Sequence, residues 1–275
     1  MAGDELLKPT LHVEVRLDGN AADTAQIESN VGTWLRERFA RVAVGMDIDH
    51  IEHVCDFKLA DGLIHGIEIA AYSGPENKAG FYELETLHLD VQSYKLCTGL
   101  RRTINQPDEL DSNHERMLEL PNILLHEAWN SLVFDDALPA RLLRYLVRMT
   151  DLMGQPGLNI STFNWNRLCL LHGPPGSGKS TLCRALAQKL SIRLFRSFAS
   201  SMLVEIDTNG MLSKYFGESG KLIEATFERI AIMARARNCL VCVVMDEIET
   251  IAGRRDKSAS GNECRDGLRV CVQRF

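Results

Sequence analysis

The chain has 275 residues, of which 45% are hydrophobic and 25% charged, so collagen-like, low-complexity and wholly disordered proteins are excluded. At about 150 residues per domain this length predicts one or two domains, and the apolar run 240–245 is far shorter than the roughly 18 residues of a membrane span. Net charge is −6 but uneven: residues 1–150 carry 14 basic and 25 acidic side chains, which disfavours direct nucleic-acid binding, whereas residues 151–275 carry 17 and 12, which suits a nucleotide.

The first half predicts a small α/β domain. The N-terminus has no basic region followed by an apolar one, so no secretory signal is expected. Alternating apolar residues predict strands over 11–17, 63–71 and 86–96, and helical spacing predicts a helix over 27–39. Polar stretches at 77–80 and 105–113 predict loops. His50 and His53 fall on one helical face, but no third ligand accompanies them, so we do not expect a metal there.

The second half alternates helices with strands. An apolar stripe over 138–149, with Pro139 near its start, predicts a helix. Strands are predicted over 168–171, 203–206 and 239–245, and helices over 179–191 and 220–237. Such alternation is typical of a parallel sheet with right-handed crossovers and helices on its faces.

A glycine-rich turn between the strand 168–171 and the helix 179–191 carries the clearest motif. Its spacing matches the phosphate-binding GxxxxGK[ST] pattern, with the required strand before it and helix after it. Backbone N–H groups and the helix N-terminus would surround the phosphates, Lys179 would lie between the terminal phosphates, and Ser180 would offer its hydroxyl to Mg²⁺. The predicted ATP-binding residues are Gly173, Pro174, Pro175, Gly176, Ser177, Gly178, Lys179, Ser180 and Thr181.

Two acidic residues end the apolar strand 239–245. Ligands bind at the carboxyl edge of open α/β sheets, so Asp246 and Glu247 are expected beside the phosphate loop. We expect Asp246 to hold Mg²⁺ and Glu247 to polarise the attacking water as general base. This pairing favours ATP hydrolysis over phosphate transfer to a small molecule.

Two adjacent aromatic residues, Tyr215 and Phe216, lie between these motifs. In isolation they are typical of core residues. Their position in a Lys-aromatic-aromatic-Gly segment between two helical stretches instead indicates an exposed loop that grips a ligand.

The chain has eight cysteines. Without a secretory signal, free thiols are expected rather than a disulfide framework. Cys239 and Cys242 form a CxxC motif within a predicted strand, where a separation of three places them on opposite faces. Small core residues are therefore expected there, not a zinc or redox site.

Three segments, GPPGSGKST, SKYFGESGK and VVMDEIE, are together similar to the AAA+ ATPases. WNSLVFDDALPARLLRYL and MLVEIDTNGMLSKYFGESGKL more narrowly resemble the pachytene checkpoint protein 2 family, also called thyroid receptor-interacting protein 13. The resemblance is close over about 118–270 and looser in the first half. It implies an N-terminal substrate- or adaptor-binding α/β domain over 1–115 and an AAA+ large domain over 116–275.

The resemblance further implies a homohexamer that uses ATP and Mg²⁺ to convert HORMA-domain proteins from closed to open conformers, aided by a HORMA-fold adaptor. In the family this serves meiotic synapsis, recombination control and the spindle checkpoint, in the nucleus, on chromosomes and in the cytoplasm. Lys179, Asp246 and Glu247 then have catalytic roles, and Tyr215 and Phe216 grip substrate in the central pore. No membrane and no direct nucleic-acid partner are implied.

The family continues well past residue 270, into sensors, arginine fingers, a helical lid and two more strands. With an AAA+ strand order of 5-1-4-3-2, the strand before the phosphate loop and the strand ending at Asp246 should lack a shared neighbour here. We therefore expect a truncated form with little ATPase activity, since unpaired ladder groups and missing arginine fingers are costly.

Two other functions remain open at this point. One is an interaction fragment without ATPase activity, in which only the N-terminal domain binds its partner. The other is a different AAA+ protein such as a microtubule-severing enzyme, which would share the aromatic pore segment.

Overall fold

The computed structural model describes residues 9–18, 24–48, 64–75, 77, 80–101, 115–154, 168–208, 219–246 and 267–273. The chain divides into two compact units, Met1–Leu96 and Cys97–Phe275. Within these ranges no helix is long and apolar enough to cross a membrane. His50 and His53, and the predicted loop 105–113, lie outside the described residues.

The first unit packs one helix on a three-stranded sheet. Its elements are β1 (Thr10–Leu17), α1 (Thr24–Arg38), β2 (Arg41–Ala43), β3 (Ile64–Ser73), β4 (Phe81–Glu83) and β5 (His88–Tyr94). β1 lies centrally, antiparallel to β3 and parallel to β5, while β2 and β4 form a separate antiparallel pair. Ile27, Val31 and Leu35 of α1 are buried, so the helical spacing in the sequence is confirmed.

The second unit is built on a six-stranded sheet in the order β6-β7-β9-β10-β11-β8. Its elements are β6 (Leu100–Arg101), β7 (Glu115–Leu120), a 3₁₀ helix (Ile123–Ala128), α2 (Leu138–Met153), β8 (Leu168–His172), α3 (Lys179–Arg193), β9 (Ser200–Ile206), α4 (Ser219–Arg237), β10 (Cys239–Met245) and β11 (Gly267–Gln273). The predicted helices and strands of this half are confirmed, with bounds shifted by a few residues. The domain border near residue 115 stays a prediction, and β6 on its N-terminal side pairs with β7.

β11 corrects one expectation about this sheet. It pairs antiparallel with β10 through Val244 and Val270, and antiparallel with β8 through Cys169 and Val270. The strand before the phosphate loop and the strand ending at Asp246 therefore share a neighbour, contrary to the expectation from the AAA+ strand order. Since both are antiparallel to β11, β8 and β10 run in the same direction, and their carboxyl ends meet at one edge.

β10 has a hydrophobic core on each of its faces. Leu240, Cys242 and Val244 pack into the cluster that contains the buried face of α3. The alternate residues of β10, including Cys239, pack into the cluster that contains Ile230 of α4. The near-continuous apolar run in the sequence is explained by this double coverage. Cys239 and Cys242 are core residues on opposite faces, as predicted.

A pair of buried amide groups connects α3 to the start of the 3₁₀ helix. The backbone N–H of Asn122 donates to Gln188 Oε1 at 2.9 Å, and Gln188 Nε2 donates to the Asn122 carbonyl at 3.0 Å. The side chain of Asn122 accepts from the Leu124 N–H and caps the 3₁₀ helix. This reciprocal contact fixes the helix that follows the phosphate loop against the segment that precedes α2.

Candidate functional site

The phosphate loop joins the carboxyl end of β8 to the N-terminus of α3, as the sequence predicts. Gly176 and Gly178 have φ angles of 75° and 81°, in the region where a side chain strains the backbone. At Gly178 an added Cβ would also lie 3.4 Å from Leu132 Cδ2. These two glycines are therefore required by the path of the chain, and the loop around them is largely exposed.

The helix that follows the loop is held firmly in place. Most of α3 from Leu182 onward is buried, so its N-terminus is fixed relative to the sheet. Arg184 Nε forms an ion pair with Glu205 Oε1 of β9, which ties the first turns of the helix to the same sheet edge. The first N–H groups of a helix have no acceptor within the helix and carry a partial positive charge. A phosphate placed at this loop would meet those groups, as at other helix N-termini.

The ammonium group of Lys179 lies over the loop. Nζ donates to the carbonyl oxygens of Gly173 at 2.9 Å and Pro174 at 2.8 Å. The side chain therefore curls back across the exposed loop instead of extending away from it. This holds a positive charge at the loop to which the motif assigns the phosphates.

Ser180 and Asp246, which are 66 positions apart in the sequence, meet at the carboxyl edge of the sheet. The Ser180 hydroxyl donates to Asp246 Oδ2 at 3.0 Å. A hydroxyl and a carboxylate are the oxygen ligands that Mg²⁺ prefers, and a P-loop nucleotide site supplies further oxygen ligands from the phosphates. The donor set therefore fits Mg²⁺, and the fold places the two side chains next to each other.

Thr208 is a residue near the site that the sequence pattern did not identify. It follows β9 by two positions, its side chain is buried, and its hydroxyl donates to the backbone carbonyl of Asp246 at 2.6 Å. The sequence signal that could have identified it is a hydroxyl residue just past β9, the strand that pairs with β10. The sequence alone did not show that its partner is a backbone atom of Asp246.

Two thiols beneath the site stay protonated. Burial raises the pKa of Cys183, with smaller contributions from Cys169 and Asp246, and burial also raises the pKa of Cys169. A nucleophilic or metal-binding cysteine needs the thiolate form, so neither residue suits those roles near neutral pH. Across the described part of the chain, no group of three or more His, Cys, Asp or Glu side chains is arranged to hold a metal ion.

Three predicted site residues lie outside the described residues: Glu247, Tyr215 and Phe216. The loop residues 173–178, Lys179, Ser180, Thr181 and Asp246 are described and lie at one edge of the second unit's sheet. The general base and the aromatic pore pair therefore stay predictions from the sequence.

Both halves of the chain match known protein families. Residues 6–99 match the TRIP13 N-terminal domain, and residues 169–272 match the AAA family, the ATPase family associated with various cellular activities. The solved structure titled "Structure of C. elegans PCH-2" superposes with a TM-score of 0.64 at 25% sequence identity, covering 88% of this chain and 60% of that chain. The mixed α/β architecture with an AAA domain and an N-terminal domain is thus confirmed.

Curated relatives agree with these matches. The pachytene checkpoint protein 2 homolog of Danio rerio is 31% identical over 268 residues, which cover 96% of this chain and 60% of that protein. The homolog of Homo sapiens is 42% identical over 151 residues, covering 55% of this chain and 35% of that protein. The chain thus spans about 60% of the length of the relatives that it matches along nearly its whole length. With its N-terminal and AAA regions both matched, the chain is similar over nearly its whole length to the pachytene checkpoint protein 2 family of AAA ATPases.

Proposed function

We propose that this chain is the ATP-binding and partner-binding part of a machine that remodels HORMA-domain proteins. The observation that carries the proposal is the joint placement of Lys179, Ser180 and Asp246 at one sheet edge, around a loop shaped for phosphates. The substrate class is the one that the resemblance to this family implies. Because the chain spans only part of its relatives' length, the activity of the whole protein is part of the proposal.

Each residue of the site has a defined role in this proposal. Lys179 and the N-terminus of α3 bind and orient the phosphates of ATP. Ser180 and Asp246 hold Mg²⁺, which when bound neutralises charge on the phosphate oxygens. Glu247 follows Asp246 directly in the sequence and accepts the proton of the attacking water.

In this proposal the partners, the oligomeric state and the cellular setting are inferred from the resemblance to the family. Tyr215 and Phe216 grip the client in the central pore of a homohexamer, and the first unit recruits the client through a HORMA-fold adaptor. The setting is meiotic synapsis, recombination control and the spindle checkpoint, in the nucleus, on chromosomes and in the cytoplasm. ATP hydrolysis supplies the work that opens the closed HORMA conformer.

Nucleotide titration is the first test of the proposal. A fluorescent ATP analogue should bind the wild-type chain, and Lys179→Ala should weaken its affinity by about 10- to 100-fold, because a charge-assisted hydrogen bond is worth about 1.5–3 kcal/mol. Lys95→Ala, which removes an exposed lysine from the first unit, is the matched control and should bind like the wild type. Equal affinity of Lys179→Ala and the wild type would overturn the assignment of the site.

A client assay separates the proposal from its alternatives. The chain is mixed with a closed HORMA-domain protein and its adaptor, and conversion to the open conformer is followed by ion-exchange elution. Remodelling predicts conversion that depends on ATP in a version extended to the length of the relatives, where Glu247→Gln should trap ATP and client without turnover. The chain itself is expected to hydrolyse little ATP. Partner binding without ATP-dependent release would identify an interaction fragment, and cutting of microtubules would identify a severing enzyme.

The partner-binding role of the first unit has its own test. A surface cavity of about 520 Å³ is lined by Pro9, Arg41, Tyr72, Asn77, Phe81, Tyr82, Glu83, Thr86 and Leu87. The Phe81 side chain in this cavity is 62% exposed, an arrangement that supports a contact with another protein. Phe81→Ala should reduce capture of the adaptor, whereas Val44→Ala, which trims an exposed residue outside the cavity lining, should not.

A further inference from the structure

We propose that Thr208 is a positioning residue for the Mg²⁺ side of the nucleotide site and that it acts through the backbone of Asp246. The inference rests on the proposed nucleotide binding and adds a residue to it. Thr208 has no role in the phosphate-binding motif and is not itself expected to touch nucleotide or metal.

The contact that carries this inference is a short, buried hydrogen bond. Thr208 is 2% exposed, and its hydroxyl donates to the Asp246 carbonyl oxygen at 2.6 Å. On the same residue, Asp246 Oδ2 accepts from the Ser180 hydroxyl at 3.0 Å. Asp246 is thus held at two points, with its backbone bound to Thr208 and its carboxylate bound to Ser180.

Sheet geometry shows where this hydrogen bond acts. β9 and β10 pair in parallel, and the described ladder between them ends at the pair Ile206 and Met245. Asp246 is the next residue of the chain, one position past the last paired residue of β10. The hydroxyl of Thr208 extends the attachment between the two strands by one residue, to the position where the ligand is needed.

The same bond also bears on the residue that follows. The carbonyl of Asp246 belongs to the peptide plane that joins Asp246 to Glu247, and that plane is rigid. Fixing its oxygen restricts the orientation of the peptide group that follows Asp246. Partners that hold a metal ligand in place typically change metal affinity by about 10- to 100-fold when they are removed.

The test measures affinity for a fluorescent ATP analogue twice, with Mg²⁺ and in EDTA. Thr208→Val keeps the shape of the side chain and removes the hydroxyl. It should weaken binding in Mg²⁺ by about tenfold, which is the size expected for loss of such a partner. Binding in EDTA, which depends on the loop and Lys179, should be unchanged, and Thr208→Ser should restore the wild-type ratio of the two affinities.

Thr150→Val is the matched control for a purely structural effect. Thr150 is 1% exposed, and its hydroxyl donates to the Leu146 carbonyl at 2.8 Å within α2. It therefore loses the same kind of buried hydrogen bond without touching Asp246. We expect this variant to lose stability while keeping the wild-type ratio between the two affinities.

The outcomes separate this inference from the proposed function. A wild-type ratio of affinities in Thr208→Val, with a loss of stability like that of Thr150→Val, would overturn the inference alone. A wild-type chain that binds no nucleotide in either condition would overturn the proposed function and the inference with it. If Thr208→Val does not fold, Thr208→Cys, a weaker donor of similar volume, should show the same selective loss in Mg²⁺, and a wild-type ratio there would also overturn the inference.

Discussion

At the scale of single residues, the pKa of the Cys183 thiol reflects the buried environment beneath the phosphate loop. It lies on α3 and is fully buried in the core shared with β10. Burial, followed by the nearby Cys169 and Asp246, raises the pKa of its thiol above the ordinary value of 9.0. The thiol therefore keeps its proton in the folded state under conditions where an unfolded chain would lose it.

This difference predicts a loss of stability at high pH. Above about pH 9 the unfolded state binds fewer protons than the folded state, so the free energy of unfolding falls as the pH rises, by at most about 1.4 kcal/mol per pH unit from this thiol. Below that pH the contribution is present in full. Urea denaturation from about pH 8 to about pH 10 should show a shallower pH dependence for Cys183→Ala than for the wild type. Parallel pH profiles would contradict the assignment, whatever the overall stability of the variant.

At the scale of elements, the position of α3 depends on a buried polar contact with the start of the 3₁₀ helix. Gln188 is 4% exposed and satisfies both backbone groups of Asn122, which is itself buried. Buried backbone groups that lose their partners are costly, so this contact sets the spacing between α3 and the 3₁₀ helix.

Replacing Gln188 by Met therefore predicts a clear loss of stability. Methionine fills a similar volume but leaves the N–H and the carbonyl of Asn122 without this partner, at a cost of about 1–3 kcal/mol for each group. Arg141→Ala is the control, because its exposed ion pair with Asp136, at 3.4 Å, is worth about 0–1 kcal/mol. Thermal unfolding of both variants checks the prediction, and equal melting temperatures would contradict it.

β11 gives a second prediction at this scale. A proline at Val270 removes a backbone N–H from a strand that has neighbours on both sides, a position from which proline is normally excluded. Amide hydrogen exchange should become faster in both β8 and β10, whereas Val270→Thr, which keeps the N–H and the β-branch, should leave exchange slow. Unchanged exchange in Val270→Pro would show that β11 does not bridge these two strands.

At the scale of the whole molecule, each unit has its own hydrophobic core. Leu35 belongs to the core of the first unit, and Leu186 to a core of the second. All the described residues of the nucleotide site, from Gly173 to Asp246, belong to the second unit. We therefore expect that the stability of the first unit can be changed without changing nucleotide binding by the second.

A pair of core substitutions tests this separation. Leu35→Ala and Leu186→Ala should each cost about 2–5 kcal/mol, since both leucines are fully buried. Leu35→Ala should nevertheless bind a fluorescent ATP analogue with wild-type affinity under conditions where the second unit is folded. In Leu186→Ala, by contrast, ATP should raise the melting temperature of the destabilised unit, because binding favours the folded state. Weakened nucleotide binding by Leu35→Ala would contradict the separation.

The amino-acid sequence by itself determined the local features of this protein. The alternation of apolar residues specified β1, and the near-continuous apolar run specified β10 as a strand covered on both faces. The spacing in α1 specified the face that it buries, because this period is set by the backbone geometry of a helix. The phosphate loop was equally predictable, because its glycines are required by local positive φ angles. The position of Asp246 was predictable because it directly ends a buried strand at the edge where ligands bind.

Only the tertiary structure decided which distant groups meet. The insertion of β11 between β8 and β10, the bond from Thr208 to Asp246 and the reciprocal contact of Gln188 with Asn122 all join positions far apart in the chain. No local period specifies such partners, because strand order and register are set when the whole core packs and every buried polar group must find a partner. The residues of the site could be predicted from local pattern, whereas the groups that hold them in place could not.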